Sequence, residues 1–219
     1  MLRRANETQR FNRTSGEKEQ QMPRQLRMVR PNLENLPKFE LPTGYGMRTY
    51  LEGDEVHWAR IINDSFGGGE RTAQDTRDQI TGRDVFLPDG FYLATHGDTP
   101  VGTACAWRES VNEKDVGYVH MVGVVAAHTG HKLGKWVSLA VLYYFRDNGF
   151  KCAMLDTDDF RIPAVKTYLN LGFIPVYVEE GQPERWRAIF EKLKLPPMTS
   201  HIESVRKVLT DELWAKVSA

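Results

Sequence analysis

The chain has 219 residues, of which 41% are hydrophobic, which suits one domain with a sizeable core and terminal extensions. Lysine plus arginine and aspartate plus glutamate each number 29, so a net charge of zero favours neither nucleic acid nor an anionic membrane as a partner. Zero net charge is poor for colloidal solubility, so a homodimer is a reasonable expectation.

The cysteines and the hydropathy of the chain indicate its cellular compartment. Cys105 and Cys152 both lie in apolar runs and are too few for a disulfide framework or a zinc site, so we expect buried thiols and no metal. No apolar run reaches the roughly 18 residues of a membrane span, and the N-terminus lacks the apolar core of a signal peptide. These features predict a cytoplasmic protein.

The N-terminal part of the chain is predicted to lie outside the folded domain. Residues 1–25 are polar and charged, which is typical of a flexible tail. Prolines 31, 37 and 42 suggest an extended segment that wraps the domain surface. We therefore predict a tail and wrapping segment at 1–43, one folded domain at 44–195, and a C-terminal helix at 196–219.

Strands and helices are predicted in a definite order along the domain. Residues 45–51 form a strand, Asp54 caps a helix that ends at the glycines 67–69, and a short helix covers 73–80. Short connections make the next three strands antiparallel, at 91–95, 99–110 and 116–125. Two strand–helix units follow and imply parallel packing, with helices at 130–148 and 161–171 and strands at 151–155 and 173–178. Tail helices at 183–193 and 203–217 are expected to pack onto the domain or to form a subunit contact.

One segment at a predicted strand–helix junction has the pattern of an anion site. Residues 124–135 (VVAAHTGHKLGK) combine small residues and two glycines between a buried strand and a helix. Such a turn lets backbone N–H groups converge at a helix N-terminus, which favours a phosphate or pyrophosphate. An ordinary structural turn is the alternative. A P-loop fails because Gly134-Lys135 is followed by Trp136, and a dinucleotide fingerprint fails because its three glycines are absent.

This segment resembles the acetyl-CoA-binding motif of the GNAT superfamily of N-acyltransferases, Arg/Gln-x-x-Gly-x-Gly/Ala. Thr129, Lys132 and Gly134 fall on the three patterned positions, so threonine and lysine replace the usual Arg/Gln and glycine. Residues 161–173 (RIPAVKTYLNLGF) resemble the family signature Asn-x-x-Ala-x-x-x-Tyr-x-x-x-Gly-Phe. There, Arg161 replaces Asn and Tyr168 falls on the tyrosine. The resemblance covers roughly residues 45–178.

The resemblance implies a fold and an activity. The fold is α+β, the acyl-CoA N-acyltransferase fold, with a central mixed, mostly antiparallel sheet of six to seven strands. Helices lie on both faces, and the sheet is splayed between the fourth and fifth strands. The activity is direct transfer of an acetyl (acyl) group from acetyl-CoA to a primary amine of a small molecule or peptide in a ternary complex. A non-catalytic acyl-CoA-binding or regulatory module of the same fold is the alternative.

The resemblance also implies a set of cofactor-binding residues at the strand end, the turn and the helix start. The set is Val124, Val125, Ala126, Thr129, Gly130, His131, Lys132, Leu133, Gly134, Lys135 and Arg161. The backbone N–H of Val124 or Val125 is the candidate donor to the thioester oxyanion, freed by a bulge that the family carries there.

Candidate catalytic groups follow from the same comparison and from strand alternation. Tyr168 is the predicted acid for the leaving thiolate, with a half-buried helix aromatic as the alternative. Tyr118 and His120 lie an even number of residues before Val124, so a regular strand puts all three on one face. His120 is the predicted base, with a hydrogen-bonded core histidine as the alternative, and Glu109 is held in reserve.

The amine acceptor is expected to enter between the first helix pair and the strands, bordered by the loop at 66–71. Asp156, Asp158 and Asp159 follow the fifth strand and precede a helix. Asp158 or Asp159 is predicted to be the N-cap of that helix rather than a receptor for the amine.

Overall fold

One seven-stranded sheet organises the protein, in the strand order β2-β3-β4-β5-β6-β1-β7. The structure is a computed structural model that describes residues 23–67, 69–196 and 205–219, so the predicted tail up to residue 22 lies outside it. The strands are β1 Leu26–Arg30, β2 Tyr45–Thr49, β3 Phe91–His96, β4 Thr99–Trp107, β5 Val116–Val124, β6 Cys152–Thr157 and β7 Ile174–Val176.

Helices cover both faces of this sheet. They are α1 Glu55–Phe66, α2 Ala73–Thr76 continuing as a π turn over Arg77–Thr81, α3 Leu133–Asp147, α4 Ile162–Asn170, α5 Gln182–Leu193 and α6 Asp211–Ser218. Residues 205–208 add a helical turn before α6. No helix in the described ranges is long and apolar enough to cross a membrane.

Strand β1 corrects the predicted start of the folded domain at residue 44. All five of its residues are buried, and it pairs antiparallel with β6 on one side and β7 on the other. The strand was not recognised in the sequence, because Arg27 and Arg30 interrupt its apolar pattern. Arg27 is neutralised by Asp156, and Arg30 donates to the carbonyl oxygen of Leu171, so both arginines can be buried.

The predicted splay of the sheet is confirmed. Strands β2 to β5 are antiparallel neighbours, and β5 runs parallel to β6. The parallel pairing covers only Val116–Tyr118 against Cys152–Met154, so the two strands separate beyond that point. The predicted parallel packing is therefore confirmed for one pair alone, because β1 lies between β6 and β7.

A bulge lies in β5 where the strands begin to diverge. Thr103 is opposite Gly123, but Cys105 is opposite His120, so β5 has one residue more than β4 over this stretch. Met121, inside the stretch, has a φ of 53°. A bulge of this kind reverses the facing of every side chain that follows it.

The reversal separates two groups that strand alternation predicted to share a face. A Cβ on Gly117 would collide with the Phe145 ring of α3, so position 117 faces α3. A Cβ on Gly134 would lie 4.0 Å from Val124, so Val124 also faces α3. His120 is an odd number of residues from Gly117 on the same side of the bulge and faces the other way. The prediction that His120 shares a face with Val124 was wrong, because the bulge intervenes.

The tail helices pack onto the domain, as predicted. Helix α5 packs beside α4 and places Trp186, Ile189 and Phe190 in the main core. The C-terminal segment covers β1, β6 and β7 on the face opposite α3. It forms a second apolar cluster of Val29, Val116, Cys152, Val176, Val205, Leu209, Leu213 and Val217. Strand β1 and the C-terminal segment from residue 205 therefore both contribute to the folded domain.

Candidate active site

A cavity of about 340 Å³ lies against the turn between β5 and α3, and is called the α3 cavity below. It is bounded by the end of β5, the start of α3 and one side of α4. The lining residues are Val122, Gly123, Val124, His128, Thr129, Gly130, Lys132, Leu133, Gly134, Lys135, Pro163, Ala164, Thr167 and Tyr168. Most residues predicted to hold the cofactor are among them. Val122 was missed, although its spacing of two residues from Val124 puts both on one face of the strand.

The backbone N–H groups of the turn divide into bound and free ones. Val125 donates to the carbonyl of Val101 at 2.9 Å, and Ala126 donates to the carboxylate of Asp64 at 3.0 Å. Val125 is therefore not free to donate to the thioester oxyanion, and the Ala126 amide already has an acceptor; the place of both residues in the cofactor site stays a prediction. The N–H groups of residues 130–134 have no acceptor among the described residues. The free donors thus converge on the N-terminus of α3, where the helix dipole adds positive charge.

Val124 keeps its amide available. Its pairing with Gly102 and the bond from Val125 to Val101 make it a non-hydrogen-bonded position of the β4–β5 ladder. The N–H of Val124 therefore points away from β4, towards the gap that β6 has left. Of the two predicted oxyanion donors, only Val124 is free for that role.

The turn itself has the backbone that an anion site needs. Gly130 has a φ of 87° and Lys132 a φ of 59°, both in the left-handed region. Lys132 occupies the position where the family motif has glycine, so the conformation survives the substitution at a cost in strain. The exposed Lys132 and the half-buried Lys135 add positive charge beside the free amides.

His131 anchors the turn to β2 rather than lining the cavity. Its ring centroid lies 5.1 Å from that of Tyr45, and the Tyr45 hydroxyl lies 2.9 Å from Nδ1 of His128. His96 packs on the same tyrosine at 5.1 Å. The contribution of Tyr45 was not predicted, because its sequence separation of more than 80 residues from the turn hides the contact.

Tyr168 projects from α4 into the cavity. The residue is buried, its ring packs edge-on against Phe173, and its hydroxyl has no hydrogen-bond partner within the described residues. Burial raises the pKa of Tyr168 to about 12, against a smaller lowering by the charge of Arg161. The hydroxyl therefore stays protonated at neutral pH and can donate into the cavity.

A smaller space, called the passage below, runs through the gap between β5 and β6. Its volume is about 120 Å³. It shares Val122, Ala164 and Tyr168 with the α3 cavity, and it reaches Tyr118 and His120 on the opposite face. Phe66 also lines it, so the loop predicted to border the acceptor begins here. The splay therefore connects the two faces of the sheet.

The passage opens on that opposite face into a groove of about 350 Å³, called the outer groove. Its lining residues come from four strands, the bend after β4, and α6 with the residue that follows it: Arg27, Trp107, Glu109, Tyr118, His120, Met154, Lys216 and Ala219. The His120 ring lies 5.3 Å from Trp107 and 5.6 Å from Tyr118, between ring centroids. Burial, with the charge of Arg71, lowers the pKa of His120 to about 4, so its imidazole is neutral at pH 7.

Arg161 and the acidic residues before α4 take structural positions. Arg161 donates to Asp158 at 3.1 Å and lies 4.0 Å from the Phe66 ring, so it borders the passage instead of the α3 cavity. Asp159 is paired with Arg185. The prediction that Asp158 or Asp159 caps α4 was wrong, because Arg161 is the N-cap residue and no side chain bonds the free amides there.

Comparisons with known proteins agree with this geometry. The model of the acetyltransferase (GNAT) family matches residues 56–173. The mycothiol acetyltransferase of Thermomonospora curvata is 31% identical over 153 residues, covering 68% of this chain and 50% of that protein. That of Kytococcus sedentarius is 32% identical over 167 residues, covering 72% and 56%. The chain thus spans about half the length of these curated relatives.

Solved structures support the same fold. A GCN5-related N-acetyltransferase from Sphaerobacter thermophilus has a TM-score of 0.53 at 21% identity, covering 70% of this chain and 50% of that one. A tandem GNAT protein from the clavulanic acid biosynthesis pathway has a TM-score of 0.54 at 19% identity, covering 70% and 51%. With the family model matched over more than half of its residues, the chain belongs to the GNAT acetyltransferase family.

Proposed function

We propose that the protein is an N-acetyltransferase that moves the acetyl group of acetyl-CoA to a primary amine by direct attack in a ternary complex. The observation that supports this most is the series of adjoining spaces that leads from the α3 cavity through the passage to the outer groove, each sharing lining residues with the next. Two substrates that enter from opposite faces of the sheet can meet at the splay. An ordinary strand–helix turn does not require such a path.

In this proposal the cofactor lies in the α3 cavity. The free N–H groups of residues 130–134, with Lys132 and Lys135, hold the pyrophosphate at the N-terminus of α3. The acyl arm then follows the open edge of β5 towards the passage. The N–H of Val124 is a donor to the thioester oxygen as negative charge develops on it.

Tyr168 protonates the thiolate of CoA as it leaves, and the proton that the attacking nitrogen loses on becoming an amide returns to the Tyr168 phenolate. The residue lines both the α3 cavity and the passage, and the raised pKa of its hydroxyl keeps the proton in place until it is needed. Dry surroundings strengthen the donation, because a developing charge near a buried hydroxyl is poorly screened.

His120 serves to orient the amine rather than to ionise it. An alkyl ammonium has a pKa of about 10, and a group with a pKa of about 4 takes its proton at a cost of about 8 kcal/mol. The neutral imidazole can instead accept a hydrogen bond from an amine that is already deprotonated. The proton of the acceptor leaves through the outer groove to water.

The setting of the reaction is part of the proposal. Cys105 and Cys152 are free thiols in the core, which fits a reducing compartment, the cytoplasm. A homodimer remains a prediction, to be checked by analytical ultracentrifugation. The acceptor is a small molecule or a peptide amine.

Two measurements on the full chain test the proposed function. Acetyl-CoA at 100-fold above its Kd should stabilise the fold by about 2.7 kcal/mol in thermal unfolding. Free CoA, followed with a thiol reagent, should then be released only when an amine is present. Stabilisation without release for any amine would indicate a non-catalytic acyl-CoA-binding module, and no stabilisation would contradict the cofactor site itself.

A further inference from the structure

The outer groove changes its chemistry along its length. At the passage it presents His120, whose imidazole is neutral. Its middle is the cross-strand pair of Trp107 and Tyr118, with Met154 beside them. Its far end carries Glu109, which is exposed. The sequence of surfaces is thus neutral, then aromatic and apolar, then negative.

The two cations that line the groove are already neutralised. Arg27 binds the carboxylate of Asp156 through two bonds of 2.9 and 3.1 Å. Lys216 lies 3.1 Å from Glu113 and 2.9 Å from Asp115. Neither side chain needs an anionic group from a ligand.

Glu109, in contrast, has no ion-pair partner in the described part of the chain. The groove therefore presents the Glu109 carboxylate without a direct ion pair, at the end farther from the passage. Arg27 acts on this carboxylate through space but is itself bound to Asp156. The strand register gives an upper limit for the distance from His120 to Glu109 along the groove. Cys105 lies opposite His120, and Glu109 is four residues beyond Cys105, which is up to about 13 Å along an extended chain.

We propose that the acceptor is a small diamine: a primary amine joined through an alkyl chain to a second positive charge, with no carboxylate. This inference rests on the proposed function. The reacting nitrogen lies at His120, the alkyl chain crosses Trp107 and Tyr118, and the second cation meets Glu109. The ring faces of Trp107 and Tyr118 also attract a cation that passes along the groove.

The size of the groove fits a free small molecule. Its volume of about 350 Å³ is at the lower end of the range for small-molecule sites. Helix α6 forms one wall, where Lys216 ties it to Glu113 and Asp115.

Three acceptors that differ by one group each test the proposal on the wild-type protein. They are n-pentylamine with one cation, 1,5-diaminopentane with two, and L-lysine, which adds a carboxylate to the same diamine. We expect kcat/KM for the diamine to exceed that for pentylamine by about fivefold, the size of a screened ion pair. The ratio should fall towards one at 1 M salt, and lysine should be a poorer acceptor than the diamine.

The variant Glu109→Gln identifies the charge responsible. It should reduce the diamine-to-pentylamine ratio to about one, because the amide cannot pair with a cation. Glu191→Gln is the matched control, since it removes the same charge from an exposed position on α5, and it should keep the wild-type ratio. Thermal unfolding of both variants checks that they fold alike.

The outcomes distinguish failure of the diamine proposal from failure of the proposed acetyl transfer. Equal rates for pentylamine and the diamine, or a ratio that Glu109→Gln leaves unchanged, would overturn the diamine proposal and leave acetyl transfer standing. Acetyl-CoA binding with no transfer to any of the three amines would also overturn this acceptor class. Failure to bind acetyl-CoA would overturn the proposed function as well.

Discussion

Replacing Tyr168 with phenylalanine separates the chemistry of the proposed reaction from binding and folding. The hydroxyl has no partner within the described residues, so its loss leaves no buried group unsatisfied, and the free energy of unfolding should change by less than about 0.5 kcal/mol. With a pKa of about 12, the hydroxyl is present as the acid throughout the neutral range. Loss of a general acid should lower kcat by about 10²- to 10⁴-fold.

The assay is steady-state CoA release, with acetyl-CoA affinity taken from thermal shifts. Tyr143→Phe is the matched control, because its hydroxyl donates to the carbonyl of Pro37 at 3.1 Å, far from the reaction. That variant should lose about 1 kcal/mol of stability and keep its kcat. A Tyr168→Phe enzyme with kcat within twofold of wild type would refute the role of this hydroxyl as the acid.

Three further changes have expected outcomes. Because the pKa of His120 is lowered to about 4, the profile of kcat/KM should show no inflection from this group between pH 5 and 9; a limb near pH 6.5 that His120→Gln removes would contradict this. Lys132→Gly should raise the free energy of unfolding, measured in urea melts, by about 1 kcal/mol, because glycine adopts a φ of 59° without strain. Unchanged stability would argue against backbone strain at Lys132. Burial alone would raise the pKa of Asp54, but the bonds from Arg48 and from the N–H of Leu51 together keep it low. Their contribution to stability is therefore present above about pH 4 and lost as pH falls through the lower folded value. Asp54→Asn should therefore cost about 2 kcal/mol at pH 7, a figure reduced for the partial exposure of Arg48, and should flatten the acid limb of the stability curve; a parallel acid limb in urea melts would count against this.

Elements with strong local patterns could be predicted from the sequence. The helix α3 and the turn before it follow from glycine placement and helical spacing, and the fold follows from two motifs in a fixed order. Strand β1 could not be predicted, because its burial depends on partners that are distant in sequence. Arg27 looks like a surface residue until Asp156, 129 positions away, is placed beside it.

The sequence predicted most of the residues that line the α3 cavity, but not which strand face they occupy or which of their amides are free. Alternation along β5 put His120 and Val124 on one face, and a single extra residue near Met121 reversed that arrangement. Hydrogen bonding decided which amides are free, and the bond from Ala126 to Asp64 has no signature in the sequence. The outer groove joins residues from both ends of the chain, which local patterns cannot relate.

The most direct measurement is a crystal structure of the protein with bound acetyl-CoA. The account predicts pyrophosphate oxygens within about 3 Å of N–H groups in residues 130–134, and the acyl carbon at the passage between β5 and β6. A cofactor whose phosphates contact another part of the surface, with the N-terminus of α3 left empty, would contradict it.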